Sequence, residues 1–297
     1  MTLLWVASTL IAAAAQTARN ALQSSLTRAI GAVGATQLRF LFGLPFAILF
    51  LALVKLLTGQ PIPALTATSL GFTTLGAVAQ IAATALMLRT MQARSFAVTT
   101  AWIKTEPVLV ALIAAAVLGD PLTMPALAAI LLATVGVLVT SVKPGVRLLH
   151  EPGPMLSGLL AGGLFGLAAI GFRGGILGLA DGNFLIRATT ILVLSLALQS
   201  GILLAWMLAF DRPALRASFG IWRKSLGTGF LGAFASQFWL IGFSLTTAAN
   251  VRTVALVEVV MAIGLSRYAL GQPVTPRQQI GIAIMLIGVA LLLRTQT

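Results

Sequence analysis

Long, almost uncharged apolar segments cover nearly the whole chain, and they restrict where it can fold. Only 8% of the 297 residues are charged, while 59% are hydrophobic. A soluble globular domain has roughly a quarter of its residues charged, so this chain lacks the polar surface that a protein needs in water. We therefore exclude a water-soluble fold and expect a protein that is integral to the cell membrane and crosses it many times.

Each apolar segment is about as long as a helix that crosses a bilayer, which needs roughly 20 residues. Because the segments are continuously apolar, helices are favoured over barrel strands, which alternate over about ten residues. Turn sequences such as Gly119-Asp120-Pro121 separate the segments. The predicted spans are 3–26, 35–57, 68–88, 96–118 and 124–142, followed by 155–177, 184–210, 226–246, 249–270 and 277–293.

The second half of the sequence repeats the first. Residues 118–123 read LGDPLT and residues 270–275 read LGQPVT, 152 positions later. The same offset relates Glu106 to Glu258. Weaker matches in the same order along the chain, including the LGAxA sequences at 75–79 and 231–235, strengthen the repeat.

Five spans in each half require the two halves to enter the membrane from opposite sides, because five is an odd number. Inverted repeats of this kind are common in secondary transporters, whose binding site lies near the midplane between the halves. We therefore predict an all-α membrane protein with ten transmembrane helices, arranged as two inverted five-helix repeats around a central cavity. The first repeat covers 1–142, a connecting loop covers 143–154, and the second repeat covers 155–297.

The five-plus-five helices, the glutamate early in the fourth span and the Leu-Gly-acid/polar-Pro-x-Thr sequence after it resemble the drug/metabolite transporter superfamily. Within that superfamily the sequence is most similar to the EamA-like branch of ten-helix exporters. The resemblance implies a basket of helices around a central cavity. It also implies alternating access by movement of the two halves.

Two glutamates, Glu106 and Glu258, lie about ten residues inside their predicted spans, whereas the other four acidic residues are at or near loops. A charge at that depth costs at least a few kcal/mol, so such residues usually face a cavity or a partner. They are candidates for substrate binding and for proton exchange. The alternative is that each glutamate only pairs with a nearby arginine and locks the helices together.

Lys104 and Pro107 flank the first of these glutamates. Lys104 points to another helix face than Glu106, so we expect its partner on another helix or on a substrate carboxylate. Pro107 cannot donate a backbone hydrogen bond, which predicts a kink there. The equivalent residue in the second half is Val259, so the kink is expected in one repeat only. For these reasons we expect Glu106, rather than Glu258, to carry a proton.

Polar side chains in the first span form one stripe, with Gln16, Asn20 and Gln23 at helical spacing and Arg19 on its flank. We interpret them as cavity lining, with interhelical hydrogen bonding as the alternative.

Two glutamines follow the repeated LGAxA sequences and are further candidates for the site. Gln80 lies in the third span and Gln237 in the eighth, where Trp239 is close to it in sequence. Arginines near the starts of spans are instead expected to extend to the membrane surface; these are Arg39, Arg187 and Arg252.

A stripe of glycines on the sixth span comprises Gly158, Gly162 and Gly166. Small residues at this spacing let helices approach closely, so the stripe predicts structural packing or a gating contact.

The sequence favours a secondary transporter, an exporter of small polar or amphipathic metabolites such as amino acids, with protons as a candidate coupling ion. Its expected partners are a small-molecule substrate and the lipid bilayer. We expect no nucleic acid, because the basic residues are scattered singly. No metal or other cofactor is expected either, since the chain has no cysteine and one histidine. A membrane-embedded enzyme that uses Glu106 and Glu258, and a facilitative channel or exchanger, are the alternatives.

Basic residues also bear on orientation in the membrane. Twelve lysines and arginines lie at the loops that follow odd-numbered spans, and five lie on the opposite side. Positive charge favours the cytoplasm, which predicts both termini outside. Many relatives in the superfamily are thought to have both termini inside, so the resemblance and the charge bias disagree on this point.

Overall fold

The computed structural model describes residues 2–91, 101–142, 152–220, 222–270 and 273–295. Within these ranges the chain forms helices and no strands, so the predicted all-α membrane fold is confirmed. The helices are α1 (Thr2–Leu41), α2 (Leu44–Thr58), α3 (Ala67–Met91), α4 (Glu106–Leu118), α5 (Met124–Ser141), α6 (Pro152–Leu177), α7 (Phe184–Phe210), α8 (Arg212–Gly220), α9 (Trp222–Leu245), α10 (Ala248–Val254), α11 (Glu258–Leu270) and α12 (Pro276–Arg294).

Nine helical segments in the described part of the chain are long and apolar enough to cross a bilayer. They correspond to the predicted second to tenth spans. The predicted first span lies in α1, where Gln16, Arg19 and Asn20 lower the average hydropathy. The count of ten spans and their inverted arrangement stay predictions.

The boundary between the first two spans differs from the prediction. We expected a loop between residues 26 and 35, but α1 continues through these residues and the chain breaks at Phe42-Gly43 instead. No proline interrupts residues 24–41, and glycines inside a helix cost only about 1 kcal/mol each. Pro45 lies in the first turn of α2, where its missing N–H costs nothing.

Predicted turn sequences end and begin several helices. Gly59 and Gly119 terminate α2 and α4 in the left-handed conformation, with φ of 65° and 68°. Thr123 and Thr275, which are equivalent in the repeat, each accept a hydrogen bond from the backbone three residues later and so cap α5 and α12.

Three pairs of helices make the most extensive contacts, namely α3 with α6, α1 with α9, and α5 with α12. In the predicted repeat α1 corresponds to α6, α3 to α9, and α5 to α12. If each helix is replaced by its equivalent in the other half, the α3–α6 pair therefore becomes the α9–α1 pair, and the α5–α12 pair is unchanged.

Glycines allow the close approach of α5 and α12. A Cβ atom added at Gly136, Gly281 or Gly288 would lie within 3 Å of backbone atoms of the opposite helix. Gly136 and Gly288 are equivalent in the repeat, so each half supplies the same small residue to this contact.

We expect Gly136→Ala to destabilise the protein by about 1–3 kcal/mol, because the added methyl group forces these two helices apart. Gly71→Ala is the matched control, since a Cβ there meets no atom within 4 Å. Thermal unfolding in detergent should show a lower Tm for the first variant and an unchanged or higher Tm for the second. An unchanged Tm for Gly136→Ala would contradict this packing.

Parts of the predicted features lie outside the described residues. These are residues 96–100 of the fourth span, residues 143–151 of the connecting loop, and the side chain of Gln23.

Candidate functional site

A cavity of about 180 Å³ lies between helices of the two predicted repeats. Pockets for drug-sized ligands are roughly 300–1,000 Å³, so this cavity suits a smaller solute. Its polar and charged lining comprises Gln16, Arg19, Asn20, Arg39, Gln80, Thr84, Lys104, Glu106, Arg252 and Glu258.

Both intramembrane glutamates occupy the first position of a helix that follows a break in its span. The fourth span is interrupted by a turn at Lys104-Thr105, and α4 begins at Glu106. In the ninth span a 3₁₀ turn, Ala255–Val257, separates α10 from α11, which begins at Glu258. A negative charge at a helix N-terminus is stabilised by the unpaired backbone N–H groups there.

The expectation of a kink in one repeat only is therefore wrong. Pro107 lies in the first turn of α4, two residues after the break. The second repeat breaks at the equivalent place without a proline, because the 3₁₀ turn reorients the backbone instead.

Two ion pairs cross between these broken spans. Lys104 Nζ donates to Glu258 Oε1, and Arg252 Nε lies 3.0 Å from Glu106 Oε1. Each glutamate is thus neutralised by a cation from the other half of the chain. The predicted partner of Lys104 on another helix is Glu258.

Residues of α1 and α9 complete the surroundings of Glu258. Gln16 Nε2 donates to Glu258 Oε2 at 2.9 Å, and the indole N–H of Trp239 donates to Gln16 Oε1 at 3.2 Å. The Arg252 guanidinium lies 5.3 Å from the centre of the Trp239 ring, within cation–π distance. Both oxygens of the Glu258 carboxylate therefore have a donor.

Two arginines of the lining, Arg19 and Arg39, make no ion pair with any described residue. Arg19 is 5% exposed, and its Nε and Nη1 have no hydrogen-bond partner, while Nη2 donates to Asn20 Oδ1 at 2.8 Å. The stems of both arginines lie against Gly232, because a Cβ there would meet Arg39 Cγ at 3.2 Å and Arg19 Cδ at 3.7 Å.

The expected extension of Arg39 and Arg252 to the membrane surface is wrong, because both line the central cavity. Arg187 is half-buried, and its guanidinium donates to backbone carbonyls of Ile176, Leu177 and Leu179 at the end of α6. Free carbonyls at a helix end attract a cation, which accounts for the position of this side chain.

The two predicted glutamines are separated in the structure. Gln80 lines the cavity and accepts a hydrogen bond from Gln199 Nε2 at 2.6 Å. Gln237 is buried away from that lining, where its Nε2 donates to Thr189 Oγ1 at 2.9 Å.

Glycines of the sixth span lie against the fourth span. A Cβ at Gly162 would lie 3.2 Å from the Ile103 carbonyl, and one at Gly166 would lie 2.9 Å from a Val110 methyl. Gly158 is buried one turn earlier. Closer contacts occur further along α6, where Gly171 lies against the backbone of Gly76.

One end of the helix bundle is held together by Arg173. Its guanidinium donates to Asp120 at 3.1 and 3.2 Å and to the carbonyl of Phe243 at 2.7 Å, with a further bond to the carbonyl of Thr246. These contacts join the loop after α4, the helix α6 and the end of α9. The residue equivalent to Asp120 in the second repeat is Gln272, which cannot form such an ion pair.

The sequence analysis missed Arg39 and Arg252. The signal that could have identified them was the pair of isolated glutamates in the predicted spans, because a buried carboxylate requires a nearby cation. Within the described ranges no three His, Asp or Glu side chains lie close enough together to hold a metal ion.

Comparison with known proteins agrees with this architecture. Residues 156–294 match the EamA-like transporter family. A solved structure described as a crystal structure of a protein superposes with a TM-score of 0.73 at 16% identity, and the match covers 98% of this chain and 94% of the other. That likeness shows the fold alone. No curated protein matches the chain.

The resemblance to the EamA-like family is therefore confirmed over residues 156–294. The family match indicates a membrane transporter of the drug/metabolite superfamily.

Proposed function

Given the match to the EamA-like transporter family, we propose that the chain is a secondary transporter that exports small polar or amphipathic metabolites, such as amino acids, by alternating access. The observation that carries the proposal is the central cavity, in which Glu106 and Glu258 are each paired with a cation from the other half of the chain. A solute bound there contacts both halves and competes for these ion pairs. Binding can therefore be coupled to a relative movement of the halves.

Inverted repeats would explain how one cavity serves both faces of the membrane. The exchange of the α3–α6 and α1–α9 pairs, the equivalent helix caps and the equivalent breaks at the glutamates support this arrangement. We propose that residues 1–142 and 155–297 superpose after a rotation of about 180° about an axis in the membrane plane.

The contacts of Arg173 support an asymmetric closure of the cavity. Asp120, α6 and the end of α9 are joined at one end, and the repeat supplies no second ion pair of this kind because Gln272 replaces the acid. The protein would open this end by breaking the Arg173–Asp120 pair.

Proton coupling is assigned to Glu106. Its carboxylate has one cation partner, Arg252, whereas Glu258 accepts hydrogen bonds from both Lys104 and Gln16. Protonation of Glu106 would release Arg252 to a substrate or to its ring contacts with Trp239 and Phe243.

An enzyme and a channel predict different behaviour from a transporter. Uptake of a panel of radiolabelled amino acids, organic acids and amines into proteoliposomes separates the three. We expect saturable uptake that speeds up when the same solute is present on the other side. Uptake that never saturates would identify a channel, and chemical conversion of a solute would identify an enzyme.

Orientation can be tested because the chain contains no cysteine. The charge bias predicts that a cysteine at Thr2 reacts with an impermeant maleimide from outside intact cells, whereas one at Ala217 does not. Labelling at 217 but not at 2 would contradict the proposal that both termini are outside the cell membrane.

A further inference from the structure

We propose that the central cavity selects small organic anions, with Arg19 and Arg39 as the residues that bind the anionic group. This inference rests on the proposed function only in taking the cavity as the solute site. The glutamates alone suggest an amine, and the basic residues alone suggest a carboxylate, so the ion pairing within the cavity decides between them.

The charges of the lining do not balance. Four cations and two carboxylates face the cavity, and both carboxylates are already paired with Lys104 and Arg252. Arg19 and Arg39 therefore leave a surplus of two positive charges. An amine would have to displace one of the existing cations, whereas an anion would neutralise the surplus.

Burial makes this surplus significant. Arg19 is 5% exposed and has two guanidinium nitrogens without a hydrogen-bond partner. Burial of a charge is costly unless the charge is paired, and a buried nitrogen without a hydrogen-bond partner requires an explanation, such as a bound ion or water. The guanidinium group matches carboxylate and phosphate oxygens because it presents a planar set of donors.

The position of the two side chains suits one shared ligand. Gly232 leaves room for both stems side by side on α9, and Arg39 lies within electrostatic range of Arg19 and Arg252. Asn20 binds the third nitrogen of Arg19 and keeps that guanidinium in the cavity. A volume of about 180 Å³ limits the ligand to a small solute.

The repeat shows why Arg19 is free. Arg173 lies 154 positions after Arg19, an offset close to that of the other repeat matches, and its guanidinium is fully occupied by Asp120 and two backbone carbonyls. Because Gln272 stands where Asp120 stands in the first half, no acid is supplied to Arg19 at the corresponding place. Arg173 therefore has an acid from the opposite half, whereas Arg19 does not and is available to a solute.

Calorimetric titration of the full-length protein in detergent, free of anionic lipid, tests the proposal with solutes matched in shape. The probes are succinate and its diamide, and glycerol 3-phosphate and glycerol. We expect each anion to bind at least about tenfold more tightly than its neutral partner, since hydrogen bonds to charged groups are the stronger class. Tighter binding of glycerol 3-phosphate than of succinate would identify a phosphate or lipid headgroup as the anion source.

Variants separate ligand binding from a structural role. Arg19→Gln and Arg39→Gln should each reduce anion affinity about tenfold and leave the affinity for the neutral partner nearly unchanged. Arg19→Lys should restore part of the preference, and Lys55→Gln, at the exposed end of α2, is the control. If an arginine variant does not fold, the preference of the wild-type protein for each anion over its neutral partner still tests the proposal.

The proposal is overturned if no anion of the panel binds at millimolar concentration, if wild-type protein does not distinguish an anion from its neutral partner, or if the arginine variants keep the full preference. Transport of amines or neutral solutes without anion binding would overturn it and leave the proposed transporter function intact. Anion binding without uptake in proteoliposomes would support anion selection by the cavity and contradict the proposed transporter function.

Discussion

Glu106→Gln is expected to abolish accumulation of substrate driven by a pH gradient, while substrate binding and exchange between equal concentrations persist. The amide keeps the size and polarity of the side chain but cannot take up or release a proton. It also leaves Arg252 without its carboxylate, so the halves lose one of two ion pairs. Uptake into proteoliposomes with an imposed pH gradient, compared with counterflow without one, measures the two properties separately.

Glu258→Gln provides the comparison within the site. Its carboxylate is held by Lys104 and Gln16, so its loss should weaken folding and substrate affinity more than the response to pH. Asp211→Asn, in the loop after α7, is the matched control outside the cavity. Full proton-driven uptake with an unshifted pH profile in Glu106→Gln would contradict this coupling. The same result for both variants would leave facilitated exchange as the mechanism.

Asp120→Asn should open the end of the cavity that we propose Arg173 closes. Arg173 would keep its carbonyl contacts but lose its charged partner, a change of about 2 kcal/mol or roughly thirtyfold in the population of the closed state. We expect slower transport, because the protein would spend less time closed at this end. A cysteine placed at Thr84, in the cavity lining, should become reactive from the Asp120 side.

Arg173→Gln should produce the same change and should also release the carbonyls of Phe243 and Thr246. The effect of the double variant should be smaller than the sum of the two single effects, because both substitutions remove the same ion pair. Additive effects, or unchanged accessibility of Thr84→Cys in Asp120→Asn, would show that this ion pair does not close the cavity.

The sequence supports the helical membrane fold directly, since apolar length and the lack of charge leave few other possibilities. It also identifies Glu106 and Glu258, because an acid inside a span is costly enough to stand out. Lys104 and Arg19 were predicted for the same reason. All four of these charged side chains line the cavity.

Residues near the ends of spans were harder to predict. A long cationic side chain can extend to the membrane surface or reach inward, and its position along the helix does not distinguish the two. Arg39 and Arg252 reach inward, where Glu106 attracts Arg252 and Gly232 leaves space for Arg39. Such choices depend on neighbouring helices, as does the break at Phe42-Gly43.

Polar residues without charge were the least predictable. Gln80 and Gln237 follow the same repeated sequence, yet one lines the cavity and the other binds Thr189 in a packed interface. An uncharged amide costs less to bury than a charge, and one hydrogen bond to a hydroxyl on a neighbouring helix holds Gln237 outside the cavity. The distinction needs the three-dimensional packing.

The most direct test of alternating access between two halves is the reactivity of Thr84→Cys from each membrane face, in a chain that otherwise has no cysteine. An impermeant maleimide is applied to either side of sealed vesicles that contain the purified protein. Thr84→Cys in the otherwise wild-type protein should react from the face opposite Asp120. Adding Asp120→Asn should make the same cysteine reactive from the Asp120 face as well. Equal reactivity from both faces without that substitution would indicate an open pore and contradict the account.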